Sequence, residues 1–426
     1  MTQVIHSLLV PQDKEDVFPE LALSLFAVIE ALYKKLSKAS VRNVYFLSRE
    51  GQPLMRLFEM YQLSHGDVNA PISCHYLEVS RRSTFMPSLV SLDKERFDTL
   101  FRQYRAISLM EFLSSLGLES HAVQVAQALG VSEEVLKARA SDLPTSALYL
   151  ALLANPWFRQ LYETERTSRR AAFIDYLTEL SEGTLPATLH LVDVGWKGTI
   201  QDNLYRLLCD GAATPVQGID GYYVGLVGAG ATNAENRKQG LLFSSSGERS
   251  AHFNIFNENR ALFEVILAAD HGSVANYVHT EAGQATPVMS DFEEEAMVKQ
   301  FVFPLQARLF KRFEALALHF ANRDYEASWL LQLAARCHAR MVFMPTAHEM
   351  NWFSAVFHVE NFGVFENSRF GSTRPSTLLD RIRFTVRLMR RRPGMELGFW
   401  PWLSIRRQAL PGVAFAYRRL RSEGLV

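Results

Sequence analysis

The stretch ATLHLVDVGWKGTIQDNLYRLL, residues 187–208, decides the fold. It opens with a short apolar run and enters a turn bracketed by glycines, Asp193-Val194-Gly195-Trp196-Lys197-Gly198-Thr199. Beyond it Ile200, Leu204, Leu207 and Leu208 recur at helical spacing. This reads as strand, loop, helix. A helix start offers unpaired backbone N–H groups and the positive end of the dipole, and glycines let a ligand approach the backbone. An anion fits there. Asp193, at the strand end, could hold a metal or accept a proton, and Lys197 could neutralise phosphate. The same residues also fit an ordinary turn in which the aspartate caps the helix.

Working outward, two more units of this kind stand nearer the N-terminus. Asn43 to Ser48 is strand-like, Arg49-Glu50-Gly51 is a loop, and a helix runs from about Pro53 to Tyr61. A third apolar run, Cys74 to Val79, ends in Ser80-Arg81-Arg82-Ser83, where two arginines and two hydroxyls suit phosphate or carboxylate. Taken singly, Arg49 and Glu50 read as a surface ion pair, and the arginines as a solvated loop end. Together the three loops say more, because strands of an open α/β sheet bring their carboxyl ends to one crevice. The expected fold is α/β, an open Rossmann-like, mostly parallel sheet with a large helical insertion and a helical C-terminal region.

The remaining segments divide around this core. Residues 1–90 form its first half, including an amphipathic helix from about Phe18 to Ser37, and 91–182 are a helical insertion. The second half, 183–290, adds strands at Gly218 to Gly228 and Gly240 to Ser244. It also adds a helix over Asn257 to Ala268, followed by Asp270-His271-Gly272-Ser273. Glu264 lies on an otherwise apolar face of that helix and needs a partner, as a buried ion pair or as part of a site. Residues 291–373 read as helical, with Pro304 kinking or splitting the first helix. Residues 374–426 hold twelve arginines and no lysine against three carboxylates, and an aromatic cluster, FWPW, sits among them. That cluster fits either a membrane interface or packing on its own domain.

Composition excludes several classes. The 426 residues carry no formal net charge, so no global field attracts nucleic acid. Three scattered cysteines support neither a disulfide framework nor a thiolate zinc site. There is no GxGxxG leading into a helix and no GxxxxGK[ST], and HEMNW at 348–352 lacks the zinc-peptidase pattern. The N-terminus has no signal-peptide pattern, and no apolar run is long enough to span a bilayer. The expectation is a soluble, cytoplasmic protein, with the arginine-rich tail as a candidate peripheral contact at the inner membrane.

With these residues in view, the chain resembles the glycan-directed phosphoribosyltransferase domain that accompanies haloacid-dehalogenase-type phosphatases in bacterial surface-polysaccharide clusters. That family has strands ending in FLxRDG and SRR, a strand running into DxGWxGTxQ, and a later acidic helix followed by a Gly-Ser turn. Here they stand as FLSREG (Phe46 to Gly51), VSRRS (Val79 to Ser83), VDVGWKGTIQ (Val192 to Gln201) and LFEVILAADHGSV (Leu262 to Val274). The resemblance continues through FGVF near Phe362 and the tryptophan-proline segment near Trp400, and DxGWxGTxQ is its specific part. The family's aspartate in RDG is Glu50 here, one methylene longer.

The resemblance implies transfer of 5-phosphoribose from phosphoribosyl pyrophosphate to a hydroxyl of a lipid-linked glycan in O-antigen or capsule assembly. The phosphatase signature, an N-terminal Asp-x-Asp, is absent, so a separate phosphatase would remove the 5-phosphate. Such a donor needs two anion sites, a divalent metal and a carboxylate. Gly195, Lys197, Gly198 and Thr199 would hold one phosphate, and Arg81, Arg82 and Ser83 the other. Asp193 or Glu50 would bind Mg2+ through oxygen. Glu264 would activate the acceptor, and Gln201 would read a ribose hydroxyl. Arg49, Gly51, Ser80, Trp196, His271 and Ser273 complete the implied substrate contacts. The alternatives are a sugar-phosphate phosphatase of the haloacid dehalogenase type and a non-catalytic assembly protein docked on the membrane by its tail.

Overall fold

The computed structural model describes residues 2–67, 69–102, 104–209, 214–247, 249–321, 323–361, 365–369, 377–390 and 397–422. Along the chain, helix α1 (Leu21–Lys38) precedes strand β1 (Asn43–Leu47) and α2 (Gly51–His65), then β2 (Ser73–Leu77) and α3 (Arg81–Ser88). A run of short helices closes with the long α4 (Pro156–Leu180). The chain returns through β3 (Thr188–Asp193), α5 (Thr199–Leu208), β4 (Gly218–Leu226) and β5 (Asn236–Ser244). These five strands form one sheet in the order β2-β1-β3-β4-β5, every pair parallel. The fold is α/β, an open parallel sheet of Rossmann-like type.

Strand β1 shows why both faces are covered. Val44 and Phe46 enter one apolar core, whereas Tyr45 and Leu47 enter another. A strand buried on both sides reads as an unbroken apolar run, as NVYFL does. Helices α1 and α2 pack on the first face, α4 and α5 on the second. The helices between β2 and β3 carry a third core of their own, built on Phe85, Phe97, Phe112 and Phe158.

After β5 the helix expected over Asn257 to Ala268 is shorter, α6 (Ala261–Ile266), and a break separates it from a helical turn at Phe253–Phe256. The break falls where Glu258 and Asn259 turn fully inward. Next comes an antiparallel hairpin outside the main sheet, β6 (Val274–His279) and β7 (Ala285–Met289), seated on α3 and α4. Pro304 stands where the helical stretch is split, as expected. A π-helical turn, Val298–Val302, precedes α7 (Phe303–Phe320), and the proline occupies its first turn, where the missing N–H costs nothing. Helix α8 (Ala327–Phe343) packs on α1. The region 291–373 is not helical throughout, since β8 (Phe357–Asn361) and β9 (Phe365–Arg369) pair as a hairpin; Phe362 to Val364 of the FGVF segment lie outside the described residues.

The tail folds as α9 (Leu378–Met389), α10 (Pro401–Gln408) and α11 (Val413–Ser422). Its aromatic cluster is interior, not interfacial. Trp400 and Trp402 are buried in the first core, and Trp400 Nε1 donates to Val342 O at 2.9 Å. The buried Glu258 carboxylate fastens the tail by accepting from Trp402 N at 2.8 Å and Tyr417 Oη at 3.0 Å. No described helix is long and apolar enough to cross a membrane.

Candidate active site

The order β2-β1-β3 means that the chain leaves β1 in one direction and later continues from β3 in the other, so a crevice opens between their carboxyl ends. Three loops fill its walls: Ser48-Arg49-Glu50 after β1, Val79-Ser80-Arg81 after β2, and Asp193 to Thr199 after β3. Arg260 and Glu264, from the start and body of α6, close one side, and Ser273 another. The cavity encloses about 260 Å³.

The β3–α5 loop owes its path to two glycines. Gly195 has φ +141°, and a Cβ there would stand 2.3 Å from Gly225 O. Gly198 has φ +68° as the N-cap of α5, with Tyr223 Oη 2.8 Å from a Cβ position. Larger residues would force the loop away from β4. Lys238 braces it from below, donating to Lys197 O at 3.2 Å and to Asp202 at 2.6 Å. No side chain caps α5, whose first residues Thr199 and Ile200 line the cavity. An anion is the fitting partner for that helix start.

Trp196 ties this loop to α6. Its ring is buried, stacks on Phe243 with centroids 5.7 Å apart, and donates Nε1–H to Glu264 Oε1 at 2.6 Å. The Arg260 guanidinium lies 5.8 Å from the same ring, a cation–π contact. The indole is thus one partner of the Glu264 carboxylate.

Three carboxylates share the cavity wall. Asp193 is buried and accepts from its neighbour Val194 N at 2.7 Å. Burial first, then the Glu50 charge, push its carboxyl up to about 8, against the Val194 N–H and Arg81. Glu50 keeps an edge open to the cavity, yet the surrounding protein raises its carboxyl too, with Arg49 opposing and Glu294 adding to the effect. Hard oxygen donors that resist ionising together are the chemistry a divalent cation would relieve. Among the described residues no three acidic, histidine or cysteine side chains make a metal cage by themselves.

The surface ion pair expected of Arg49 and Glu50 does not form. Arg49 is buried and its Nη2 donates to Glu294 Oε2 at 2.8 Å, while Nη1 reaches Ser273 Oγ at 3.4 Å. Of the other sequence candidates, Ser80, Arg81, Gly195, Trp196, Lys197, Gly198, Thr199 and Ser273 line the cavity. Five do not. Gln201 is fully buried beneath the loop, donating to Asn236 Oδ1 at 2.7 Å and Arg237 O at 2.9 Å and accepting from Tyr223 Oη at 2.7 Å, so it cannot read a ribose hydroxyl. Arg82 turns to Glu119. Ser83 belongs to a capping box with Ser80 and meets Tyr277 Oη at 3.3 Å. His271 is held by Tyr76 Oη at 2.6 Å and by Gly272 O at 2.8 Å. Gly51 faces Phe46, 2.9 Å from a Cβ position, and serves close helix–strand packing.

Sequence reading missed Ser48, Arg260, Lys238 and Glu294. Arg260 carried a signal, since it precedes Glu264 by one helical turn. Glu294 carried none, being 245 residues from Arg49. No family model matches the chain, and no curated protein matches it in sequence.

Proposed function

We propose that the chain is a glycosyltransferase of the phosphoribosyltransferase type, acting in bacterial surface-polysaccharide assembly on phosphoribosyl pyrophosphate and a lipid-linked glycan acceptor. The observation that carries this reading is the convergence of two helix starts, at Thr199 and Arg81, with three carboxylates in one cavity. A nucleotide site would want a dinucleotide or P-loop fingerprint, and a simple phosphate site would not want Asp193, Glu50 and Glu264 beside it.

In this reading the α5 start with Lys197 and the Ser80–Arg81 turn each take a phosphate group of the donor. Arg260 extends the cationic wall toward the acceptor side. Asp193 and Glu50 would hold Mg2+, which would supply positive charge to the pyrophosphate leaving group, with substrate oxygens completing its shell. Glu264, oriented by the Trp196 N–H, takes the proton of the acceptor hydroxyl as its oxygen bonds to ribose C1 and the C1–pyrophosphate oxygen bond breaks. Removal of the 5-phosphate falls to a separate phosphatase.

Calorimetric titration of phosphoribosyl pyrophosphate with Mg2+, and pyrophosphate release with a synthetic lipid-linked acceptor, test this. Binding by wild type that Asp193→Asn weakens at least about tenfold is expected. If wild type neither binds the donor nor modifies an acceptor, and Asp193→Asn behaves as wild type does, the reading fails.

A further inference from the structure

Helix α9 turns an apolar stripe outward. In an ordinary amphipathic helix the apolar face meets the protein and the polar face meets water. Here Leu378, Ile382, Val386 and Met389 recur at four-, four- and three-residue steps, forming one stripe with Leu379 beside it, and all five are exposed, Leu378 by 68% and Met389 by 73%. The side that meets the protein is mixed, with Phe384 and Leu388 half-buried beside Arg381 and Thr385. Thr385 is buried with its Oγ1 accepting from Leu410 N at 3.0 Å, and Arg381 Nη1 donates to Ala409 O at 3.4 Å. Exposed Arg383, Arg387 and Arg390 run along one edge of the stripe.

The neighbouring helix repeats the combination. Phe415 on α11 is 61% exposed and lies under the Arg418 guanidinium, 4.9 Å from the ring centroid. Phe415 and Arg418 also line a cleft of about 490 Å³ together with the α10–α11 turn and Arg381 of α9. Among the described residues from 377 to 422 there are nine arginines and one carboxylate, Asp380, which is engaged in the capping box of α9. A second copy of this face would meet it with like charge, so the surface does not suit self-association. An outward apolar stripe edged by arginines suits the plane where acyl chains meet anionic headgroups.

We infer that α9, with Phe415 of α11, docks the protein on a bilayer surface bearing anionic lipid. The inference builds on the lipid-linked acceptor proposed above, but its test uses neither donor nor acceptor. The full chain is floated with vesicles of phosphatidylcholine alone and with added phosphatidylglycerol, at low and high salt, and donor titration is run on the same preparation. The bound fraction should rise about tenfold with the anionic lipid and fall again at high salt. The double variant Ile382→Asp/Val386→Asp should not float, and Arg383→Gln/Arg387→Gln should bind about tenfold less, both with unchanged melting temperature because these side chains are exposed. Loss of donor binding with vesicle binding intact would sink the proposed function and leave this inference standing. Wild type that ignores the vesicles, or charged-stripe variants that bind as wild type does, overturns it. So does a dimer in sedimentation that Ile382→Asp/Val386→Asp dissociates, which would give the stripe to a second copy.

Discussion

The Trp196 indole N–H and the Glu264 carboxylate, 68 residues apart, meet at 2.6 Å across the mouth of the β3–α5 loop. This bond sets the orientation of the carboxylate assigned to the acceptor proton. Trp196→Phe keeps a ring to stack on Phe243 but removes the donor. A hydrogen bond to a charged group contributes about 1.5–3 kcal/mol, so the turnover number should fall roughly 10- to 100-fold. Donor affinity, measured by calorimetry, should change by less than about threefold, since Trp196 N–H points to Glu264 and not to a phosphate site.

Asp193 gives a pH signature. Its folded-state value of about 8 lies above the ordinary 3.8, so the native protein keeps a proton that the unfolded chain releases across that range. Stability therefore falls as pH rises from about 4 to about 8 and flattens beyond. Asp193→Asn removes this dependence. Its melting temperature should exceed that of wild type by a margin that widens up to about pH 8. Wild type should also release roughly one proton when Mg2+ and donor bind near neutral pH, read from calorimetry in buffers of different ionisation enthalpy. A constant margin and no proton release would remove Asp193 from the metal site.

Gly195 is the structural test of the loop. With φ at +141° and Gly225 O 2.3 Å from any Cβ, Gly195→Ala must displace the turn. A loss of about 1–3 kcal/mol in urea unfolding is expected, together with loss of donor binding. A variant with wild-type binding would mean that the loop does not shape the phosphate site.

Gln201 should behave in the opposite way. Gln201→Ala strips partners from Tyr223 Oη, Asn236 Oδ1 and Arg237 O in the interior. A loss of about 2–4 kcal/mol in stability is expected, because buried polar groups are left unsatisfied. The Michaelis constant for donor in the surviving folded fraction should stay within about twofold, whereas a residue that touched the ribose would change it more.

The sheet was legible because its signals are local. NVYFL is apolar on both faces, and the Gly195–Gly198 turn stands between strand and helix periodicity, so a parallel sheet with ligand-facing loops follows from a few adjacent residues. The hairpin β6–β7 was not legible, since VANYVH has no clear alternation and its seat on α3 and α4 exists only after folding. Arg81, Lys197 and Asp193 were legible as site residues through their position at strand ends. Gln201 was misread because a helix's first turn has two sides, and only the packing of α5 on β4 and β5 decides which one faces the cavity.

The sequence by itself determined which loops meet, for chain connectivity and periodicity bring parallel strand ends to one edge of the sheet. Only the tertiary structure decided what the site-bearing turn from Asp193 to Thr199 touches. Trp196 holds Glu264, Lys238 supports Lys197, Arg49 is drawn to Glu294, and Asp193 becomes reluctant to ionise beside Glu50. These are contacts across tens to hundreds of residues, set by burial and charge in three dimensions.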